Sequence, residues 1–140
     1  MWQSTHEMTF QNLDKNAVWS LMADVNHWHE WDHDIEYAKL KGDFVAGTDF
    51  TLKPKGGPRV NIGLLRVEPL KGYTDVTKFP FARMYGIHDM IETPQGLKFT
   101  ITIKIEGPLW WLWKKLVAEK IASEAGTQMK SLAEFSKRKS

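Results

Sequence analysis

Two groups of residues in this chain have side chains of the types that do chemistry. The first is the run His27-Trp28-His29-Glu30-Trp31-Asp32-His33-Asp34. Imidazoles interleaved with carboxylates are the ligand set of a zinc or nickel site. Their spacing argues against one. On a helix, positions two apart point about 200° apart, so His27 and His29 reach the same ion only from extended backbone. No second ligand set follows elsewhere, and the run reads as a solvated polar loop without a metal. The second group is dispersed: His88, Glu124 and Gln128. A histidine titrating near about 6.5 both takes and gives a proton around neutral pH. Opposite a carboxylate it forms an acid–base couple able to move a proton on and off a bound substrate. The competing reading of His88 is a partly buried imidazole bonded to Glu124 or to water, without catalysis.

Whether His88 and Glu124 meet depends on the elements that carry them. Residues 107–135 open with Gly107-Pro108 and then run on without another proline. Glycine ends the preceding element, and Pro108 suits a first helical turn, where its missing N–H is not needed. At about 100° per residue, Trp110, Trp113, Val117, Ile121, Leu132 and Phe135 share one side, and Lys115, Glu119, Lys130 and Lys137 the other. The helix is about 40 Å long. No earlier segment is long enough to bundle with it, so it must lie across a sheet. Glu124 and Gln128 interrupt its apolar side. A polar group against a packed core costs about 1–3 kcal/mol without a partner. Either the two overhang the sheet into water, or they look into a cavity.

The sheet comes from the middle of the chain. A short strand at 6–10 precedes a helix at 15–23 capped by Asp14, then a shorter helical piece to about residue 30 capped by Asp24. From 34 to 106 the apolar period changes to two. Strands are read at 35–41, 48–54, 59–68, 73–79, 82–91 and 97–105, separated by glycine and proline turns. Short turns imply consecutive antiparallel hairpins. If residues 93–96 form the last loop, Glu92 faces Leu97, His88 faces Ile101 and Met84 faces Ile105. Met84, Gly86, His88 and Met90 then point inward. A loop one residue different would put Tyr85 and Ile87 there instead. The first register is preferred because Gly86 leaves room under the helix.

Totals narrow the class. A chain of 140 residues fits one domain, residues 1–140, with one core. The absence of cysteine excludes disulfides, thiolate metal sites and a cysteine nucleophile, and agrees with the cytoplasm. A net charge of +2, with no basic cluster apart from the tail Lys137-Arg138-Lys139, argues against nucleic acid. No apolar run approaches the ~18 residues of a membrane span, and no leader pattern opens the chain. Phosphate-loop, dinucleotide and nucleophile-elbow motifs are absent. The unusual count is seven tryptophans, which implies a crowded core or an aromatic-lined pocket. The run 109–115 mixes tryptophan with lysine, a composition suited to a membrane interface. The preferred account of Trp111 is that it packs on the short helices or on a homodimer partner, without stable membrane insertion.

The element order is strand, two short helices, six strands, long helix. With it come Ala17-Val18-Trp19, Asp24 followed by Trp31-Asp32, Gly42 with Gly47-Thr48, and Glu106-Gly107-Pro108-Leu109 before the final helix. This combination resembles the START-like (SRPBCC) helix-grip superfamily, near its polyketide cyclase/dehydrase branch. The resemblance implies an α+β fold in which a curved antiparallel sheet of about seven strands wraps the C-terminal helix around a hydrophobic cavity. Carried onto this chain, the sheet side of that cavity would be Phe50, Leu52, Val60, Ile62 and Leu64, then Met84, His88, Phe99, Ile101 and Ile103. The helix would add Trp113, Val117, Ile121, Glu124 and Gln128. Trp28 and Trp31 would stand at the mouth. The implied function is binding of a hydrophobic, ring-containing small molecule, lipid or polyketide-like, without a cofactor. The alternative it implies is a polyketide cyclase or dehydratase using His88 and Glu124. Fold alone does not choose between them.

Overall fold

The structure is a computed structural model that describes the backbone of residues 1–139 and the side chains of residues 1–138. Lys139 of the basic tail therefore lies outside the described side chains. Strands β1 (Trp2–Phe10), β2 (Ile35–Leu40), β3 (Asp49–Pro54), β4 (Val60–Glu68), β5 (Gly72–Phe79), β6 (Ala82–Thr93) and β7 (Gly96–Glu106) form one seven-stranded sheet. Its order is β1-β7-β6-β5-β4-β3-β2, antiparallel throughout. The hairpins run in sequence, as short turns dictate, and β1 closes onto β7. Strand β1 starts four residues before the predicted position. Its inward positions Ser4 and His6 break the apolar alternation, and they satisfy each other by a 2.9 Å hydrogen bond.

Helix α1 (Lys15–Ala23) is capped by Asp14, whose Oδ1 accepts from the Asn16 N–H at 2.9 Å. The piece after it is a 3₁₀ turn, Val25–Glu30. Asp24 precedes that turn but does not cap it with its side chain. Its carboxylate takes the His27 Nδ1 at 2.9 Å, so one of the predicted metal-type histidines is an exposed ion-pair partner. That carboxylate also holds His27 above its ordinary pKa.

The C-terminal helix departs from the predicted one in two ways. It begins at Trp110, not at Pro108, because Gly107 (φ +114) turns the chain hard against β6. A Cβ there would come within 2.7 Å of the Phe81 carbonyl oxygen. It is also not uniformly α. Helix α2 (Trp110–Trp113) passes through a π-helical turn at Lys114–Ala118 into α3 (Glu119–Lys139). The wider turn re-phases every residue after it. The buried stripe is therefore Ala118, Ala122, Ala125, Met129, Leu132 and Ala133, while Trp113, Val117, Ile121 and Phe135 are half-buried flanks. Alanines on that stripe allow the helix to lie close on β1 and β7, where α3 makes its sheet contacts. Trp111 does not pack on the short helices. It is exposed, and α2 rests on β6 and β7.

Candidate functional site

Strand β6 has the preferred register: His88 faces Ile101, Met84 faces Ile105 and Glu92 faces Leu97. His88 therefore points between sheet and helix, and Tyr85 faces out, where its hydroxyl donates to Glu106 Oε1 at 3.1 Å. On the other side of His88 lies β5, with Tyr73 opposite His88, Asp75 opposite Gly86 and Thr77 opposite Met84. The Tyr73 ring stacks on the imidazole, with centroids 4.4 Å apart and planes 9° from parallel. Asp75 Oδ2 comes to 3.4 Å from His88 Nε2.

This corrects the expected acid–base couple. The carboxylate beside His88 is Asp75, from the neighbouring strand. Glu124 sits elsewhere, half-buried, in the field of Asp34, Asp32 and Lys120. Burial first, and the nearby Asp34 second, hold its carboxyl above the ordinary value, with Lys120 opposing. The sequence carried one sign of Asp75, namely Gly86. A Cβ at that position would stand 2.8 Å from Asp75 Oδ1 and 3.1 Å from His88 Nε2.

Gln128 looks inward, one of the two alternatives that its place on the helix left open. Its Nε2 donates to Asp32 Oδ2 at 3.2 Å, while Asp32 Oδ1 accepts the Asp34 N–H at 3.1 Å. Asp32 is buried, and burial pushes its carboxyl above the usual range; the two hydrogen bonds pull the other way. Tyr73 is enclosed as well. Burial, then the charges of Asp75 and Asp32, push its hydroxyl well above the ordinary phenol value.

The space these groups border is small. Met22, Trp31, Tyr73, His88, Ile101 and Gln128 are among the residues around a cavity of about 30 Å³, room for water but not for a ring. The large apolar cavity expected from the resemblance is thus closed. Two features close it. The alanine stripe lets the helix settle on the sheet, and Trp28 and Trp31 are not at a mouth but inside, 4% and 5% exposed. Trp28 fills the core edge-on to Phe50 at 5.2 Å, and its Nε1 donates to the Met22 carbonyl at 3.0 Å. Trp31 Nε1 is buried and has no hydrogen-bond partner.

Of the other expected lining residues, Phe50, Leu64, Met84, Phe99, Ile101 and Ile103 belong to the packed core. Leu52, Val60 and Ile62 on the sheet, and Trp113, Val117 and Ile121 on the helix, are half-buried. The helix makes its sheet contacts on the β1–β7–β6 side, leaving the β3–β4 lip less covered. At one end Trp113 ties helix to sheet: its ring stacks on Phe79 at 4.5 Å and its Nε1 donates to the Pro80 carbonyl at 2.9 Å. Among the described residues no group of three or more His, Asp or Glu side chains is placed to hold a metal ion.

Residues 1–135 match the family model described as polyketide cyclase / dehydrase and lipid transport. The chain belongs to this family. No curated protein matches the sequence. Among solved structures, it is similar to Ara h 8.0201 (TM-score 0.76, 10% identity, 96% of this chain and 97% of that one). It is also similar to protein NE0264 from Nitrosomonas europaea (TM-score 0.76, 17% identity, 98% and 95%). A third likeness is to the di-domain ARO/CYC StfQ of the steffimycin biosynthetic pathway (TM-score 0.78, 9% identity, 98% of this chain and 51% of that one). At such identities these likenesses show the shared helix-grip fold.

Proposed function

We propose that this family member binds an apolar, ring-containing small molecule between the sheet and the C-terminal helix, with an oxygen of the ligand accepting from Trp31 Nε1. The observation that carries this reading is that unpaired indole N–H. A buried donor left without a partner costs about 1–3 kcal/mol, and the Trp31 side chain that carries it is among those lining the cavity that His88 also lines. Around it the walls are apolar: Phe99, Ile101, Met129 and Leu132. A ring-containing ligand needs on the order of 300 Å³ or more, so binding must enlarge this space, on the side where the helix covers the β3–β4 lip least and Leu52 and Ile62 are half-buried. Family membership supports a ligand-binding or cyclase role in general terms.

The test is a titration followed by tryptophan fluorescence, using a polycyclic ketone and its parent hydrocarbon. Trp31→Phe should weaken the ketone about tenfold, the equivalent of one ordinary hydrogen bond, and leave the hydrocarbon unchanged. Failure of both compounds to bind below about 1 mM, with native mass spectrometry finding only the bare chain, would overturn the reading.

A second reading, a cyclase or dehydratase, draws on the His88–Asp75 pair. His88 would take a proton from a carbon next to a ketone while Asp75 stabilises the imidazolium. It requires turnover of a polyketone that Asp75→Asn and His88→Ala each abolish while ligand affinity persists.

A further inference from the structure

At one end of the fold several large apolar side chains are exposed. The start of β1, the β5–β6 turn and the end of β7 meet there, since Trp2 pairs with Ile105 and Arg83 with Glu106. Met1 is 64% exposed, Phe81 in the turn 69%, Trp111 53% and Leu116 61%. These are not loose side chains. The Leu109 N–H donates to the Phe81 carbonyl at 2.9 Å, and Trp113 Nε1 to the neighbouring Pro80, so the turn and the helix start form one unit. In a plain α-helix Leu116 would point about 140° away from Trp111. The intervening π-helical turn, with its i→i+5 spacing, brings the two closer to one face.

Phe81 adds a second sign. Its φ is +60°, a conformation that glycine or asparagine adopts readily and a large apolar residue rarely does. The turn itself would be better served by either of those. A phenylalanine kept there at a conformational cost, and then left exposed, points to a use for the ring outside the fold.

Cationic side chains flank the β5–β6 turn and the helix start. Arg59, Lys78 and Arg83 line one groove on the outer face of the sheet, and Lys115 follows Trp113 on the helix. Among the described residues none of the four makes a recorded ion pair. Lys78 and Arg83 lie directly opposite each other, an arrangement that repels without an anion between them. Of the acids at this end, Glu106 is taken by the Tyr85 hydroxyl and by Lys104 at 3.7 Å, and Glu119 by Lys114 at 3.9 Å, while Asp49, which lines the same groove as the three sheet cations, accepts from the Asn61 amide at 3.5 Å. Lys114 also stands 5.8 Å over the Trp2 ring.

We infer that this end docks on the surface of an anionic lipid bilayer. Phe81, Trp111 and Leu116 enter the interfacial layer, where aromatic rings sit well, and Lys78, Arg83 and Lys115 meet the headgroup phosphates. Charge decides for a bilayer over a second copy of the chain. A two-fold contact sets a patch against itself, and here that sets cations against cations. The docking is peripheral, since no described helix is long and apolar enough to cross a membrane. The inference stands apart from the ligand reading above.

Co-sedimentation of the full chain with vesicles tests it, using phosphatidylcholine alone and phosphatidylcholine mixed with phosphatidylglycerol. The protein should pellet with the mixed vesicles at low salt, be released as salt rises, and stay in solution with phosphatidylcholine alone. Each of Lys78→Gln, Arg83→Gln and Lys115→Gln should weaken binding about fivefold. Phe81→Asn, which suits the turn, combined with Trp111→Ser should abolish pelleting with the melting temperature retained. No pelleting with the mixed vesicles, or pelleting that these variants leave unchanged, would overturn the proposal. So would a concentration-dependent dimer in sedimentation velocity that the same substitutions dissolve, since the patch would then belong to self-association.

Discussion

Asp75 Oδ2 lies 3.4 Å from His88 Nε2, over the place where any side chain at position 86 would have to stand. Three residues on two strands are therefore one unit, although the chain separates them. Gly86→Ala is expected to push the Asp75 carboxylate off the imidazole, because its oxygen is the nearest movable atom. The cost should be about 1–3 kcal/mol, the usual range for overpacking, read as a lowered urea midpoint. An alanine variant as stable as the parent would mean that the pair does not occupy that space.

Asp32 gives the fold a defined response to acid. Burial holds its carboxyl above the ordinary value of 3.8, so the folded chain binds this proton at a higher pH than the unfolded chain does. Between those two values the folded state carries more protons, and the contribution of this group to stability rises as pH falls through the folded-state pKa. Asp32→Asn, with the Gln128 amide turned to accept, should gain most over the parent near neutral pH. That gain should shrink in mildly acid buffer. Urea midpoints of both proteins across that range check it, and a gain independent of pH would contradict it.

Tyr73 should respond at the other extreme. Its hydroxyl is held well above the ordinary 10.0 by burial and by two nearby carboxylates. The folded chain keeps this proton when the unfolded chain has lost it, so its contribution to stability falls as pH rises above about 10. Of the three tyrosines, the ultraviolet phenolate signal of one should appear only as the protein unfolds in alkali. Tyr73→Phe should remove that late step and no other.

Trp28 anchors the short helical segment to the sheet through Phe50 and to helix α1 through its own hydrogen bond to the Met22 carbonyl. Trp28→Ala is expected to cost about 3–5 kcal/mol, as for other large buried aromatics. Trp28→Phe should cost less, about 1–3 kcal/mol, mainly for the Met22 carbonyl left unpaired. Thermal melts of the two variants, ordered in this way, separate packing from hydrogen bonding at this site.

The hairpins from β2 to β7 are legible in the sequence because their signals are local: alternating side chains and glycine or proline at the turns. Placing the loop at 93–96 aims His88 once Gly86 has chosen between two registers, since a two-residue period makes direction follow from register. Asp75 escaped because β5 carries Tyr73, Asp75 and Thr77 on its inward positions. A face that polar reads as solvent-exposed until its partner strand is known. Trp28 and Trp31 read as rim residues for a related reason. Indole composition does not say whether a ring lies at an opening or fills it.

Taken alone, the sequence determined the order of the elements, the antiparallel meander and the long helix across it, and it favoured the inward aim of His88. Each depends on contacts between residues near in the chain or on a single hairpin. The tertiary structure decided what those elements enclose. The π-helical turn rotated an alanine stripe onto the sheet, which drew the helix close and reduced the space to about 30 Å³. It also decided that Asp75, not Glu124, meets the imidazole. Those outcomes turn on fractions of a helical turn and on side chains from distant strands, and local preference does not carry that information.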